Sequence, residues 1–343
     1  MAIKEFEVGS VTAFPPAIRF SHSLAFSKYL SDLGIPSDRY LRQAGLPSFC
    51  EDPEAIVSVD RMWSFFHLVA SGEDPLVGFR VGEKVAYKGL SPSLSRRLES
   101  APTLFRSLQH FTSLVHSEAS DLQLGIIERR SDILFCFRYF DRRRFQGYEV
   151  SQAYQLQVYL GLVRFFLGSD WFPEEIGLEC SQPSALLEEL FPKSKLLGEK
   201  QFGYFSIPKS GLYKKAVMRA ANSNVEVGNF DCPMLDRQDY IERLRSLLCP
   251  YLSEGYLKQA FAAELMETSV RTLTRVLSNF GFRYGELVDN LRVEVAMELL
   301  ANPDLKIIDI AHEVGFSDHG DFSRMFCRAT GAPPSVVRRS LVG

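Results

Sequence analysis

Two apolar stripes near the end of the chain repeat one another, and they limit what that part can become. Leu273, Val276, Leu277 and Phe280 stand at i, i+3, i+4 and i+7, and Phe322, Met325, Phe326 and Ala329 take the same spacing 49 residues later. Each stripe has an arginine two places after its first apolar residue, Arg275 and Arg324. Each is preceded by an alanine near the start of a shorter helix, Ala263 and Ala311. A short helix, a turn and a longer helix with one buried stripe make a helix-turn-helix, so the spacing predicts two copies of that unit.

The two turns differ in chemistry. Gly315 takes a left-handed conformation at no steric cost, whereas Glu267, near the equivalent place, is a poorer turn residue. Thr268 or Ser269 can cap the helix after the first turn, and Ser317 or Asp318 the helix after the second.

Opposite the stripes lie polar faces. Arg271, Thr274, Arg275 and Ser278 run i, i+3, i+4, i+7 with no acid among them. In the second unit Asp321, Arg324 and Arg328 form a face, with His319, Gly320 and Ser323 beside it. Such faces suit the major groove of DNA. Arginine reaches guanine O6 and N7 as a bidentate pair, each pair discriminating by roughly 1–3 kcal/mol. Hydroxyls and helix N-termini hold phosphates and set register. The candidate DNA-binding residues are Ser269, Val270, Arg271, Thr274, Arg275 and Ser278 in the first unit, and His319, Gly320, Asp321, Ser323, Arg324 and Arg328 in the second.

Between the units runs "YGELVDNLRVEVAMELLAN", a helical stretch with Leu287, Val288, Leu291, Val295 and Leu299 apolar. About eighteen residues at ~1.5 Å each give a rod of about 27 Å. A spacer of that size can set two recognition helices about one DNA turn apart, ~34 Å, on one face of a duplex. Charge argues for a restrained electrostatic term. From Tyr251 onward ten lysines and arginines meet twelve acids, and the whole chain has a formal net charge of -3. Nonspecific attraction to DNA is therefore weak unless charge is segregated. Glu286, Asp289, Glu294 and Glu298 on the linking helix are expected to lie away from the reading faces.

"TSVRTLTRVL", "LRVEVAMELL", "IIDIAHEVGFSDHGDFSRMFCRATG" and "PPSVVRR" together resemble the DNA-binding domain of the AraC/XylS family of bacterial transcription regulators, across both helix-turn-helix units. The resemblance implies base-facing positions at Arg271, Thr274 and Arg275, and at His319, Gly320, Asp321 and Arg324. Gly320 and Asp321 replace longer polar donors often found there. Asp321 can accept from cytosine N4 but repels phosphate, so the first unit is expected to carry more of the specificity.

Ahead of this region the pattern is mixed. Helical periodicity marks "LAFSKYLSDLGI", "DRMWSFFHLVASG", "APTLFRSLQHFTSLVH" and "SQAYQLQVYLGLVRFFLG". Alternation in "DLQLGIIERRSDILFCFRYF" predicts a β-hairpin about the polar "ERRSD" turn, and short strands are expected near Ile176 to Cys180 and Phe202 to Ile207. The fold class is therefore an α+β N-terminal domain followed by an all-α C-terminal domain with two helix-turn-helix units joined by a long helix. The expected divisions are a loose arm over 1–16, a sensing or dimerisation domain over 17–221, a polar Gly- and Pro-containing linker over 222–236, and the DNA-binding domain over 237–343.

The N-terminal stretches "YLSDLGIPSDRYLRQAGLP", "SAPTLFRSLQHF" and "FFLGSDWFPEEI" resemble, more loosely, a sensor domain of one branch of the same family. That implies a small-molecule effector and a homodimer. Phe65, Phe66, Phe105, Phe111, Phe135, Phe137, Phe165 and Phe166 read as core; an alternative places some of them around an apolar ligand pocket. The basic run "DRRRF" at 141–145 reads as a solvated turn or as a seat for an anionic headgroup. Helix 151–167 is the dimerisation candidate. Tyr154, Val158, Leu162 and Phe165 make one stripe, while Leu156, Leu160, Val163 and Phe166 cover another side, which serves either a partner or its own domain.

Other classes find little support. There is no H-E-x-x-H, G-x-S-x-G or phosphate-binding glycine loop, and His22, His67, His110, His116, His312 and His319 lack metal-ligand spacing. A fused DNA-repair methyltransferase needs a Pro-Cys-His-Arg setting that no cysteine here has. No cofactor, metal or enzymatic activity is expected. Six scattered cysteines without a C-x-x-C pair favour reduced thiols. Without a signal-peptide pattern or a run of eighteen apolar residues, the expectation is a cytoplasmic bacterial regulator whose partners are promoter DNA and RNA polymerase, with no membrane segment. The rival reading is a protein-binding adaptor with degenerate helix-turn-helix units.

Overall fold

The computed structural model describes residues 15–139, 146–179, 185–216, 237–255 and 257–342. The linker at 222–236, the basic run at 141–145 and all but the end of the 1–16 arm lie outside them. The described residues fall into two compact units, the first taking in 16–46 and 59–216, the second 47–58 and 237–342.

The first unit is α+β. Its elements are β1 (Ala17–Arg19), α1 (Ser21–Asp32), α2 (Asp38–Ala44), α3 (Val59–Gly72), α4 (Val77–Val85), α5 (Pro92–Glu99), α6 (Leu104–Leu114), β3 (Leu122–Glu128), β4 (Asp132–Tyr139), α7 (Tyr148–Leu167), β5 (Glu175–Gly177), α8 (Ala185–Leu190), β6 (Lys195–Leu197) and β7 (Gly203–Pro208); β2 (Ile56–Ser58) belongs to the second unit. Helices α2, α4, α5 and α8 are additions to the sequence reading. The hairpin forms as its alternation predicts, with Ile126 opposite Phe135 and Leu124 opposite Phe137. The five strands run in the order β3-β4-β7-β5-β6, with only β5 and β6 parallel.

β4 lies between two neighbours and is buried on both faces. Ile133, Phe135, Phe137 and Tyr139 face the main core, while Leu134 and Cys136 join Tyr204 in a second apolar cluster. Phe135 and Phe137 each meet the ring of Tyr159 edge-on, which ties the sheet to α7. α7 also packs against α3 and α4. This corrects the dimerisation candidate. Tyr154, Leu156, Val158, Leu160, Leu162, Val163 and Phe166 are all buried within the single chain, so both apolar sides of α7 are consumed by its own domain. Of the eight phenylalanines read as core, six are fully buried and only Phe105 and Phe165 are half-buried.

A polar knot sits in this core. Glu118 is 2% exposed, yet it accepts from Ser91 N at 3.0 Å and Ser91 Oγ at 2.7 Å and faces His22 Nε2 at 3.0 Å. His22 Nδ1 lies 3.1 Å from the Tyr154 hydroxyl. Burial pushes the Glu118 carboxyl pKa up, but His22 and Ser91 outweigh it and hold it below the ordinary value. A cavity beside the knot, lined in part by Phe66, Phe111, Tyr139 and Gln155, has room for about one water molecule.

The second unit is helical apart from β2. It contains α9 (Arg237–Leu248), α10 (Gln259–Leu265), α11 (Val270–Asn279), α12 (Tyr284–Leu300), α13 (Ile307–Glu313), α14 (His319–Thr330) and α15 (Pro334–Val342). Segment 47–58 is held to it partly by Ser48 N donating to Glu254 at 2.8 Å. α12 packs against α9, α13, α14 and α15. Its seventeen residues at ~1.5 Å each span about 26 Å.

Candidate nucleic-acid interface

α10 and α11 form the first helix-turn-helix, α13 and α14 the second. The repeat is realised in matching detail. Ala263 and Ala311 are both buried, so each short helix can press closely on its neighbour. Glu267 has φ +47° and Gly315 has φ +86°, so both turns use the left-handed region 48 residues apart, one of them at the strain a side chain brings there. The caps also correspond: Ser269 Oγ accepts from Thr272 N at 3.1 Å and an Asp318 carboxylate oxygen accepts from Asp321 N at 2.9 Å.

The stripes bury as their period requires, with one departure. Leu273 and Leu277 are buried, and Val276 and Phe280 half-buried, with the Phe280 ring against Tyr240 of α9. In α14, Phe322, Met325 and Phe326 join Ala296, Leu300, Ile310, Ala311 and Val314 in one core cluster. Ala329 is exposed, because the cluster ends at Phe326 and the last turn of α14 runs past it. Gly331 caps that turn in the left-handed region and α15 begins at Pro334.

The second helix of the first unit, α11, presents a bare cationic face. Ser269, Val270, Arg271, Thr274, Arg275 and Ser278 are all exposed, and no ion pair engages Arg271 or Arg275 among the described residues. Val270 is 43% exposed, an apolar group at the helix start among polar neighbours. The Thr274 hydroxyl donates to Val270 O at 2.7 Å and accepts from Gln259 Nε2 at 3.0 Å. Its proton is committed to the backbone, which leaves Thr274 a methyl and a spare lone pair as its outward chemistry.

Its counterpart in the second unit, α14, is more self-contained. His319, Asp321, Arg324 and Arg328 are exposed, with Gly320 and Ser323 half-buried. Arg324 forms an ion pair with Asp321. A Cβ on Gly320 would lie 2.9 Å from Asp318 Oδ1, so this glycine leaves room for the capping carboxylate. Arg328 pairs with Asp289 on α12 at 2.9 Å. The acids of α12 are therefore not all set apart from the second face, as charge segregation required. Glu294 does point elsewhere, onto Arg245 of α9.

Four participants escaped the sequence reading. Gln259 joins the short helix of the first unit, α10, to α11 through Thr274. Lys258 and Lys306 are exposed residues at equivalent positions just before α10 and α13, a 48-residue repeat that could have exposed them. Arg292, 8% exposed on α12, donates to Gly255 O at 3.0 Å and stacks its guanidinium 4.9 Å from the Phe316 ring centroid. It thus pins the chain leading into the first unit to the turn of the second.

Comparison with known proteins agrees with this architecture. A helix-turn-helix domain model matches residues 262–340, and a model for the arabinose-binding domain of AraC transcription regulator, N-terminal, matches residues 34–200. The ornithine utilization regulator of Pseudomonas aeruginosa is 37% identical over 79 residues, 23% of this chain and 23% of its own length. The transcriptional regulator ExsA of the same species is 30% identical over 104 residues, 29% of this chain and 36% of its own. The chain thus spans well under half of the length of these relatives. The crystal structure of the transcriptional regulator CdpR from Pseudomonas aeruginosa is 19% identical, with 93% of this chain and 98% of that chain covered at a TM-score of 0.43. With one domain model on each side of the chain and two helix-turn-helix units in register, the chain belongs to the AraC/XylS family of transcription regulators.

Proposed function

We propose that this chain binds specific promoter sites on double-stranded DNA and sets transcription there through RNA polymerase, with α11 as the dominant reading helix and α14 as the auxiliary one. The observation that carries this reading is the exposed face of α11, where Arg271 and Arg275 stand without counter-charges. Arg275 and Arg271 read guanine edges, the Val270 side chain meets a thymine methyl, and Ser269 and Ser278 hold phosphates. Thr274 serves as a spacer against the bases. In α14, Arg324 and Asp321 act as one unit, His319 and Ser323 reach backbone or base edges beside Gly320, and Arg328 exchanges Asp289 for phosphate. Lys258 and Lys306 add one phosphate contact to each unit.

The N-terminal unit is the sensing module, and the match to the arabinose-binding type of domain supports this. Its effector is a small molecule, and the place where cavity and hydrogen-bonding groups meet is the knot around His22, Glu118 and Tyr154. A ligand larger than water must open that cavity, so binding couples to a change of state, as a switch requires. No described helix is long and apolar enough to cross a membrane. If a homodimer forms, it uses a surface other than α7.

Genome-wide occupancy of the wild type beside Arg271→Ala/Arg275→Ala tests the reading. Discrete peaks with a shared motif that vanish in the variant are expected. An absence of sequence-specific peaks in both, with unchanged protein partners, would favour the adaptor reading.

A further inference from the structure

We infer that the first unit carries a second, sequence-independent DNA surface, a phosphate-binding patch built from α5, α6 and the segment after β7. This rests on the DNA-binding reading of the second unit and extends it to a part of the chain that reading leaves idle.

The patch is assembled by local hydrogen bonds. Arg96 and Arg97 are exposed near the end of α5 and Arg106 near the start of α6. Ser107 Oγ of α6 donates to Leu98 O of α5 at 2.9 Å, which locks these helices together. The first amides of α6 then hold the 212–214 segment: Phe105 N donates to Leu212 O at 2.8 Å and Leu104 N to Lys214 O at 3.2 Å. Lys214 and Lys215 are brought beside α6 in this way. Tyr213, 74% exposed, rests its ring against Phe105 with centroids 6.3 Å apart.

The charges of the patch have no partners at home. Among the described residues no ion pair engages Arg96, Arg97, Arg106, Lys214 or Lys215, and the hydrogen bonds their side chains make are those of Arg96 to Pro92 O and Arg106 to Gln109. The single acid of α5, Glu99, is buried and taken by Lys88. His110 lies within reach of Arg97 and Arg106; burial first, and then those two cations, keep its pKa below the ordinary value. Five cations that gather without a counter-ion repel one another, and a polyanion relieves that repulsion. A phenol at the centre adds a neutral donor of the kind that phosphate oxygens accept.

The second unit explains why duplex DNA fits better than an acidic protein. From Tyr251 onward ten cations face twelve acids, and Arg283, Arg292, Arg324 and Arg328 there, with Arg245 just before them, are already near carboxylates. Reading helices so placed specify bases but supply little of the salt-dependent attraction. Cations on the same chain supply it at high effective concentration once the second unit is bound.

The test uses the full chain and a mixed-sequence duplex, with affinity followed by anisotropy across a potassium chloride series. Arg97→Gln/Arg106→Gln/Lys214→Gln/Lys215→Gln is expected to make the slope of log K against log[salt] shallower by about 2–4, at ~0.9 per phosphate contact. Arg97→Lys/Arg106→Lys should keep the wild-type slope, which separates charge from any damage to the fold. Base preference in sequences selected from a random pool should be the same in wild type and variant. Equal slopes would overturn the inference while leaving the reading of the second unit intact. So would a variant that binds DNA normally but loses affinity for polyglutamate, since the patch would then belong to an acidic protein. A slope change in a protein that selects no sequence would support the patch and count against specific reading by α11.

Discussion

The two turns predict opposite responses to substitution at equivalent positions. Gly315 has φ +86°, and a Cβ there would sit 2.2 Å from Leu252 O and 3.1 Å from Gly255 O, both backbone atoms. Gly315→Ala therefore adds the left-handed strain of an L-residue, about 1–2 kcal/mol. Relief of the overlap by backbone shifts costs about 1–3 kcal/mol more. The stiffer unfolded chain returns about 0.4–1 kcal/mol. The net is a loss of about 2–4 kcal/mol. At ~4–8 °C per kcal/mol for a domain of roughly a hundred residues, the second unit should melt about 8–32 °C lower. Glu267, at φ +47° and exposed, already bears the strain. Glu267→Gly removes it and concedes a similar unfolded-state entropy, so stability should stay level or rise by up to about 1 kcal/mol. Hydrogen exchange of amides in α13 and α14, read beside thermal unfolding of the full chain, separates the second unit from the first. A Gly315→Ala protein that melts within about 2 °C of wild type, or a Glu267→Gly protein that loses more than Gly315→Ala, would refute the turn equivalence.

Other perturbations probe the charges. Arg292→Leu should cost about 1.5–3 kcal/mol, through loss of a charge-assisted bond to Gly255 O, and should weaken DNA binding although Arg292 is buried; unchanged affinity in a shift assay would count against its pinning role. Asp321→Asn should change stability by less than about 1 kcal/mol, since the pair with Arg324 is exposed, yet should steepen the salt slope of DNA binding by about 1, measurable by anisotropy. Glu118→Gln should destabilise the first unit by about 3–5 kcal/mol in urea unfolding at neutral pH. The sign of the pH effect follows from the lowered carboxyl pKa: the stabilisation is present above the unfolded value, ~4.3, and is lost as pH falls through the lower folded one. The Glu118→Gln protein should therefore show a flatter acid limb than wild type below about pH 4.

The parts of this fold that were legible beforehand share one property, an apolar period facing a single core. The stripes of α11 and α14 are of that kind, and the structure covers them where the period places them, Ala329 apart; the alternation of β4 gave its pairing, but not the second cluster that buries its other face. α7 failed because a helix apolar on every side reports burial but not its partner, and here the domain itself takes both faces. Arg292 was hidden for a related reason. Its place on the linking helix is readable, but Gly255 O and the Phe316 ring come to it only through packing of segments about 37 and 24 residues away. The pairing of Arg328 with Asp289 likewise depends on how α14 lies against α12, which no spacing within either helix records. Lys258 and Lys306 were within reach, since they repeat at the interval the turns do.

The central claim is that α11 reads bases and α14 assists. Selection of bound duplexes from a random pool, with the full-length wild type beside Arg275→Ala and Arg324→Ala, tests it most directly. The account predicts one motif for the wild type and a loss of about 1–3 kcal/mol of preference at a single position in Arg275→Ala, with a smaller loss about one helical turn away in Arg324→Ala. Equal weakening on every sequence in Arg275→Ala would make Arg275 a phosphate contact, and a larger loss of preference in Arg324→Ala would reverse the order of the two helices.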